Sequence, residues 1–179
     1  MPTPRPPAPA RSAVQQEIRQ SRPFRSTAQE ATVALLRTAS VVSRVVGRVL
    51  EPYRLSPAQY NALRVVRGAG PGGVPTLAVR ERMIEAGTTI TRILDKLETA
   101  GLVRRERGEP DRRLVRCYAT AKGTRLLAEL DPKVDAADEA AMAGLSGARL
   151  RMLIELLDTI RATNAVPGAP RHAPVMPPG

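Results

Sequence analysis

The sequence predicts a mainly α-helical fold that carries one small β-hairpin, and three observations support that reading. Helix start and stop signals bracket six segments with apolar residues at three- and four-residue spacing. Two short runs, 102–106 and 114–119, carry arginines among apolar residues and flank a stretch rich in turn-forming residues. Ten of the 17 prolines fall in residues 1–10 and 165–179, five in each, so the ordered chain lies between them. Proline-dense, weakly apolar ends bury too little surface to offset the entropy of ordering. Residues 1–25 and 164–179 are therefore expected to be flexible tails around a globular region, 26–163.

The first helix reads from Ser26 or Thr27 to Leu50, with Leu35, Val42, Val45, Val46 and Val49 as its stripe and Pro52 as its stop. Ser56-Pro57 gives an N-cap and a first-turn proline for a helix through about Arg67. A Gly/Pro loop, 68–75, leads to a short helix from Thr76 to about Met83. Within it Gly68-Ala69-Gly70-Pro71-Gly72-Gly73 formally matches a dinucleotide-binding G-x-G-x-x-G. Pro71 removes a backbone donor and no parallel-strand alternation surrounds the match, so it reads as loop.

The next helix spans Ala86 to Ala100, closed by Gly101. Leu102–Glu106 and Leu114–Ala119 read as strands, joined by a turn from Arg107 to Arg113 that holds Gly, Pro and Asp. Thr120 caps a long helix to about Ala143, with Pro132 inside it as an expected kink. Ser146 caps the last helix, which carries Leu150, Leu153, Ile154, Leu157 and Ile160. No internal repeat is visible.

Composition narrows the function. The 179 residues hold 28 Lys+Arg against 17 Asp+Glu, a formal net charge of +11. Only Lys96, Lys122 and Lys133 are lysines, so the excess is guanidinium, which suits phosphate partners by charge and by bidentate geometry. GC-rich codon usage gives the same bias, so the charge matters only where it is placed. Residues 1–50 carry net +6, 51–75 net +2, 76–116 net +3 and 117–179 net zero. The neutral third is the part expected to pack helices against a partner.

With no Trp, one Phe and three Tyr, base-stacking platforms of the single-strand or RNA type are hard to build. One cysteine, Cys117, and one histidine, His172, offer no metal-ligand or nucleophile–base set. No apolar run approaches the roughly 18 residues of a membrane span, and the N-terminus lacks the apolar core of a secretory signal. A soluble cytoplasmic protein is expected, without cofactor or metal, and not an enzyme.

The helix at 86–100 carries the functional signal. At 100° per residue Ile90, Ile93, Leu94 and Leu97 fall on one stripe. Thr88, Arg92, Asp95, Lys96 and Thr99 lie opposite, with Thr89 and Thr91 on the flanks. Arginine pairs with guanine N7 and O6, and threonine contacts thymine methyls or phosphates, so this face suits a major groove. Read alone, it is equally the solvated face of an ordinary amphipathic helix. Context decides: a short helix precedes it, and the segment 102–116 that follows holds six cations against three anions. Such a hairpin has the form of a wing whose tip reaches the minor groove or backbone.

Four stretches then resemble the MarR-type winged helix-turn-helix regulators. They are Thr89-Ile90-Thr91-Arg92-Ile93-Leu94-Asp95-Lys96-Leu97-Glu98, Gly101-Leu102-Val103-Arg104-Arg105, Asp111-Arg112-Arg113, and Ala119-Thr120-Ala121-Lys122-Gly123. The resemblance runs from Leu55 to about Ile160. It implies a winged helix-turn-helix over about 53–119, flanked by dimerisation helices over about 26–50 and 120–163. It also implies a homodimer on double-stranded DNA, with the 86–100 helix in the major groove and Arg112 and Arg113 at the minor groove. The resemblance further implies that Asp111 orients one of those arginines by a charge-assisted hydrogen bond. The DNA-binding set expected on this basis is Thr88, Thr89, Thr91, Arg92, Lys96, Arg105, Asp111, Arg112 and Arg113.

The family's frequent function is repression of a palindromic operator, relieved by a small amphipathic or aromatic ligand between the dimer helices and the DNA-binding lobe. Tyr53, Tyr60 and the Val-rich first helix are candidates to line that pocket, and equally good core. Some members sense oxidants through a cysteine near the first helix. Cys117 lies instead in the second wing strand and reads as a half-buried structural residue. The competing function is a winged-helix module that joins proteins without touching DNA. Such a module should present an apolar face on the 86–100 helix.

Overall fold

Hydroxyl caps set the starts of the main helices. Ser56 accepts from the Gln59 backbone N–H and Gln59 returns the bond, a reciprocal capping box that opens the helix Pro57–Gly68. Thr120 and Ser146 cap Ala121–Met142 and Gly147–Thr163 one way only, accepting from the Gly123 and Arg149 backbone N–H groups. Each such cap contributes about 1 kcal/mol. The computed structural model describes residues 12–84, 89–107 and 115–164. In chain order the helices are α1 (Ala13–Glu17), α2 (Thr27–Leu50), α3 (Pro57–Gly68), α4 (Thr76–Glu81), α5 (Ile90–Thr99), α6 (Ala121–Met142) and α7 (Gly147–Thr163). The strands are β1 (Val74–Pro75), β2 (Val103–Arg107) and β3 (Val115–Ala119). Two units divide at Arg44 and Val45.

The first unit holds α1 and most of α2. Residues 1–25 were expected to be a flexible tail, yet 13–17 form a helix. Polar partners hold it rather than apolar burial. Ser12 caps it, the buried Gln15 amide donates to the Arg22 carbonyl at 3.1 Å, and Glu17 pairs with Arg37 at 3.1 Å. Residues 1–11 of that expected tail lie outside the described residues, as does 165–179 of the C-terminal one.

The second unit is built around one apolar core. Leu63 and Val66 from α3, Val79 from α4, and Leu94 and Leu97 from α5 are fully or nearly fully buried. Leu127 and Leu130 of α6 close it. Burying each such leucine or valine contributes about 1.5–3 kcal/mol. The sheet is antiparallel in the order β1-β3-β2, with Val103 opposite Ala119 and Arg105 opposite Cys117.

Three expectations need correction. The Gly/Pro loop at 68–75 contains a third strand, because Val74 and Pro75 pair with Cys117 and Arg116. Two residues carry no periodicity, so only the pairing reveals them. The helix expected from Ala86 begins at Ile90, since Thr89 (φ −71°, ψ 85°) is outside helical geometry. Residues 86–88 of that expected helix lie outside the described residues. Cys117 is fully buried rather than half-buried. Pro132 does lie inside α6, whose span runs unbroken from Ala121 to Met142.

Candidate nucleic-acid interface

The centre of the candidate interface is α5. Its apolar stripe is where rotation predicts it: Ile90, Ile93, Leu94 and Leu97 are all buried. Thr91, Arg92, Asp95, Lys96 and Thr99 are exposed, as is the N-cap Thr89. One face therefore fastens the helix to the core and leaves the other to solvent as hydroxyls and charges.

The C-terminal end of α5 is held firmly. Gly101 has φ +69°, a left-handed conformation that glycine adopts without a Cβ clash. Its N–H bonds the Glu98 carbonyl at 2.8 Å, and the Leu102 N–H reaches back to Leu97 at 2.9 Å. Those two bonds form a Schellman motif and reverse the chain into β2. Two groups from the start of α6 satisfy neighbouring carbonyls. The Thr120 hydroxyl donates to Gly101 at 2.7 Å, and the Lys122 ammonium donates to Ala100 at 2.8 Å. A cation there also complements the negative end of the helix dipole. Gly123 makes this approach possible, because a Cβ on it would stand 2.2 Å from the Leu102 carbonyl oxygen.

β2 is tied to α5 by Arg105. Its Nε and Nη2 donate to Glu98 Oε2 at 2.8 and 2.5 Å, and Nη2 lies 2.6 Å from Asp95 Oδ1. The Arg105 backbone N–H donates to Glu98 Oε1 at 3.0 Å. These bonds hold the Glu98 carboxyl below the usual carboxylate range and raise the Arg105 guanidinium further. The outer face of the sheet carries a second arrangement. Arg104 stacks over Tyr118 at 4.1 Å and pairs with Glu106, while Arg116 donates to the Gly72 carbonyl at 3.0 Å.

Of the expected DNA-binding residues, Thr89, Thr91, Arg92 and Lys96 are all exposed, Arg92 and Lys96 opposite the buried stripe and the two threonines at its flanks. Arg105 departs from that set, since it is closed onto Asp95 and Glu98. Thr88, Asp111, Arg112 and Arg113 lie outside the described residues. Sequence reasoning missed the role of Glu98 and, beyond its cap of α6, the bond from Thr120 to Gly101. For Glu98 the available signal was its i,i+3 relation to Asp95, which puts two carboxylates side by side.

The candidate ligand-pocket tyrosines are tied to α6. The Tyr60 hydroxyl donates to Asp131 at 2.7 Å, and burial with that bond pushes its phenol well above the ordinary range. The Tyr53 hydroxyl donates to Glu129 at 2.5 Å. Cys117 sits against Thr76, 3.7 Å away, and burial pushes its thiol up. Among the described residues no helix is long and apolar enough to cross a membrane, and no cluster of side chains could hold a metal ion.

Comparison with known proteins places this arrangement. The MarR family model matches residues 55–115. The chain is 31% identical over 103 residues to the transcriptional regulator HosA of Escherichia coli O111:H-, spanning 58% of this chain and 75% of that one. A MarR transcription factor from Planctomyces limnophilus shares 34% identity with a TM-score of 0.60, covering 76% of this chain and 99% of its own. A mutant Escherichia coli MarR complexed with operator DNA shares the fold at a TM-score of 0.65. It is 20% identical and covers 71% of this chain and 90% of its own. The chain thus belongs to the MarR family, whose members are transcriptional regulators and not enzymes.

Proposed function

We propose that this regulator binds duplex DNA sequence-specifically as a homodimer, with α5 of each protomer in the major groove. The observation that carries the reading is the two-sided character of α5. Its whole apolar stripe is buried, and the face left to solvent is Thr91, Arg92, Asp95, Lys96 and Thr99. Arginine and threonine on a helix held this way match base edges and phosphates. The operator complex of the Escherichia coli relative supports the same use of the fold. Arg112 and Arg113 are read as reaching the adjacent minor groove or backbone, with Asp111 orienting one of them. The protein-joining module is disfavoured because α5 presents no exposed apolar residue among those described.

Dimerisation is supported by α7, which has no buried residue and exposes Met152, Ile154, Leu156 and Ile160. Two α5 helices related by a twofold axis would sit about 34 Å apart and read an imperfect palindrome. On the family resemblance, control is read as repression released by a small amphipathic or aromatic ligand.

Titrating the protein with its own upstream DNA at several salt concentrations tests the reading. Log affinity is expected to fall linearly with log salt, with a slope of about −0.9 per neutralised phosphate. A flat response, or no binding to that DNA, rejects it. Footprints repeated with a panel of aromatic compounds test the ligand; protection unchanged by all of them removes that part.

A further inference from the structure

We infer that Arg105 is a positioning residue that locks the wing to α5, and not one of the groups that touch DNA phosphate. The inference rests on the DNA-binding reading above and assigns a different role to one of its residues.

The geometry is that of a fork. Asp95 and Glu98 are three apart on α5, so their carboxylates stand on the same side of its C-terminal half. Arg105 enters from β2 and bridges them at 2.6 and 2.5 Å. Glu98 takes a further bond from the Arg105 backbone, so side chain and strand are fixed together. In the sheet register Arg105 stands opposite Cys117, a fully buried residue of the middle strand β3. The fork therefore joins α5 to the centre of the sheet that carries the wing.

Charge points the same way. One cation faces two anions, which leaves the cluster net negative and unattractive to phosphate. A phosphate contact would have to draw the guanidinium away from two carboxylates and leave both facing the DNA. Arg105 is also the most covered partner, at 25% side-chain exposure against 51% for Asp95 and 38% for Glu98. Planar guanidinium suits this duty, because it can serve both carboxylates at once, whereas an ammonium is a point charge.

The two roles predict opposite signs for one isosteric change. Glu98→Gln removes an anion, so a phosphate-contacting Arg105 would be freed and DNA would bind more tightly. A positioning Arg105 loses its anchor, so binding weakens although the protein becomes more positive. The experiment uses the full chain and two duplexes: one selected from a random pool by the wild-type protein, and one of random sequence. For Glu98→Gln we expect about a tenfold loss on the selected duplex, with random-duplex affinity, salt slope and thermal melt unchanged. Arg105→Lys, which keeps the charge and loses the fork, is expected to fall with it. Asp95→Asn, at a half-exposed position, removes one tine and gives the same sign if Glu98→Gln does not fold.

Tighter binding by Glu98→Gln, or wild-type behaviour of Arg105→Lys, overturns the inference. So does a salt slope reduced by about one for Arg105→Ala in parallel on both duplexes. If the wild-type chain selects no duplex at all, the DNA-binding reading fails first and the fork falls with it.

Discussion

Two arginines of the same charge separate at the residue scale. Arg92 projects from the exposed face of α5, whereas Arg105 is closed onto Asp95 and Glu98. Arg92→Ala is therefore expected to relax base preference, at a cost of about 1–3 kcal/mol at one base pair. Binding assays across single-base variants of a selected duplex check this, and equal losses on every variant contradict a base-reading role. The exposure of Arg92 was legible because rotation along a helix needs no tertiary information. The fate of Arg105 was not, since its partners depend on how β2 turns back along α5. Cys117 shows a milder version of the same gap: its strand was legible, and its complete burial against Thr76 was not.

Among the elements, the long helices and the two arginine-bearing strands β2 and β3 were legible, whereas the short elements β1 and α1 were not. Ser56, Thr120 and Ser146 each begin a helix as their hydroxyls predict. β1 is two residues long and exists only by lying against β3. The junction of α5 and α6 is also a product of packing, and it gives a sharp prediction. Gly123→Ala would put a methyl 2.2 Å from the Leu102 backbone oxygen, so backbone must shift. Overpacking of this kind costs about 1–3 kcal/mol, or several degrees of melting temperature for a chain of this size. Thermal denaturation followed by circular dichroism measures it, and an unchanged melt shows that the junction yields freely.

For the whole molecule, the +11 charge and the uncovered α7 set the expectations. Ile154 is 56% exposed, so a charge placed there costs the single chain little. Under the homodimer reading, Ile154→Glu is expected to shift micromolar protein from dimer to monomer in light scattering while helix content is retained. A wild-type chain that is already monomeric removes the paired-helix geometry. The expectation of a flexible stretch over residues 1–25 came from composition alone, and α1 shows why composition underestimates order where local polar partners exist.

The hold of Thr120 and Lys122 on the end of α5 has a mechanical consequence. α6 has 22 residues and so measures about 33 Å, which makes it a long arm with the proposed reading helix clasped at one tip. A tilt of about 5° about the far end carries that tip roughly 3 Å, close to the step of about 3.4 Å between stacked base pairs. Angular error at Met142 thus becomes linear error at Ala100, of the size that separates one base pair from the next.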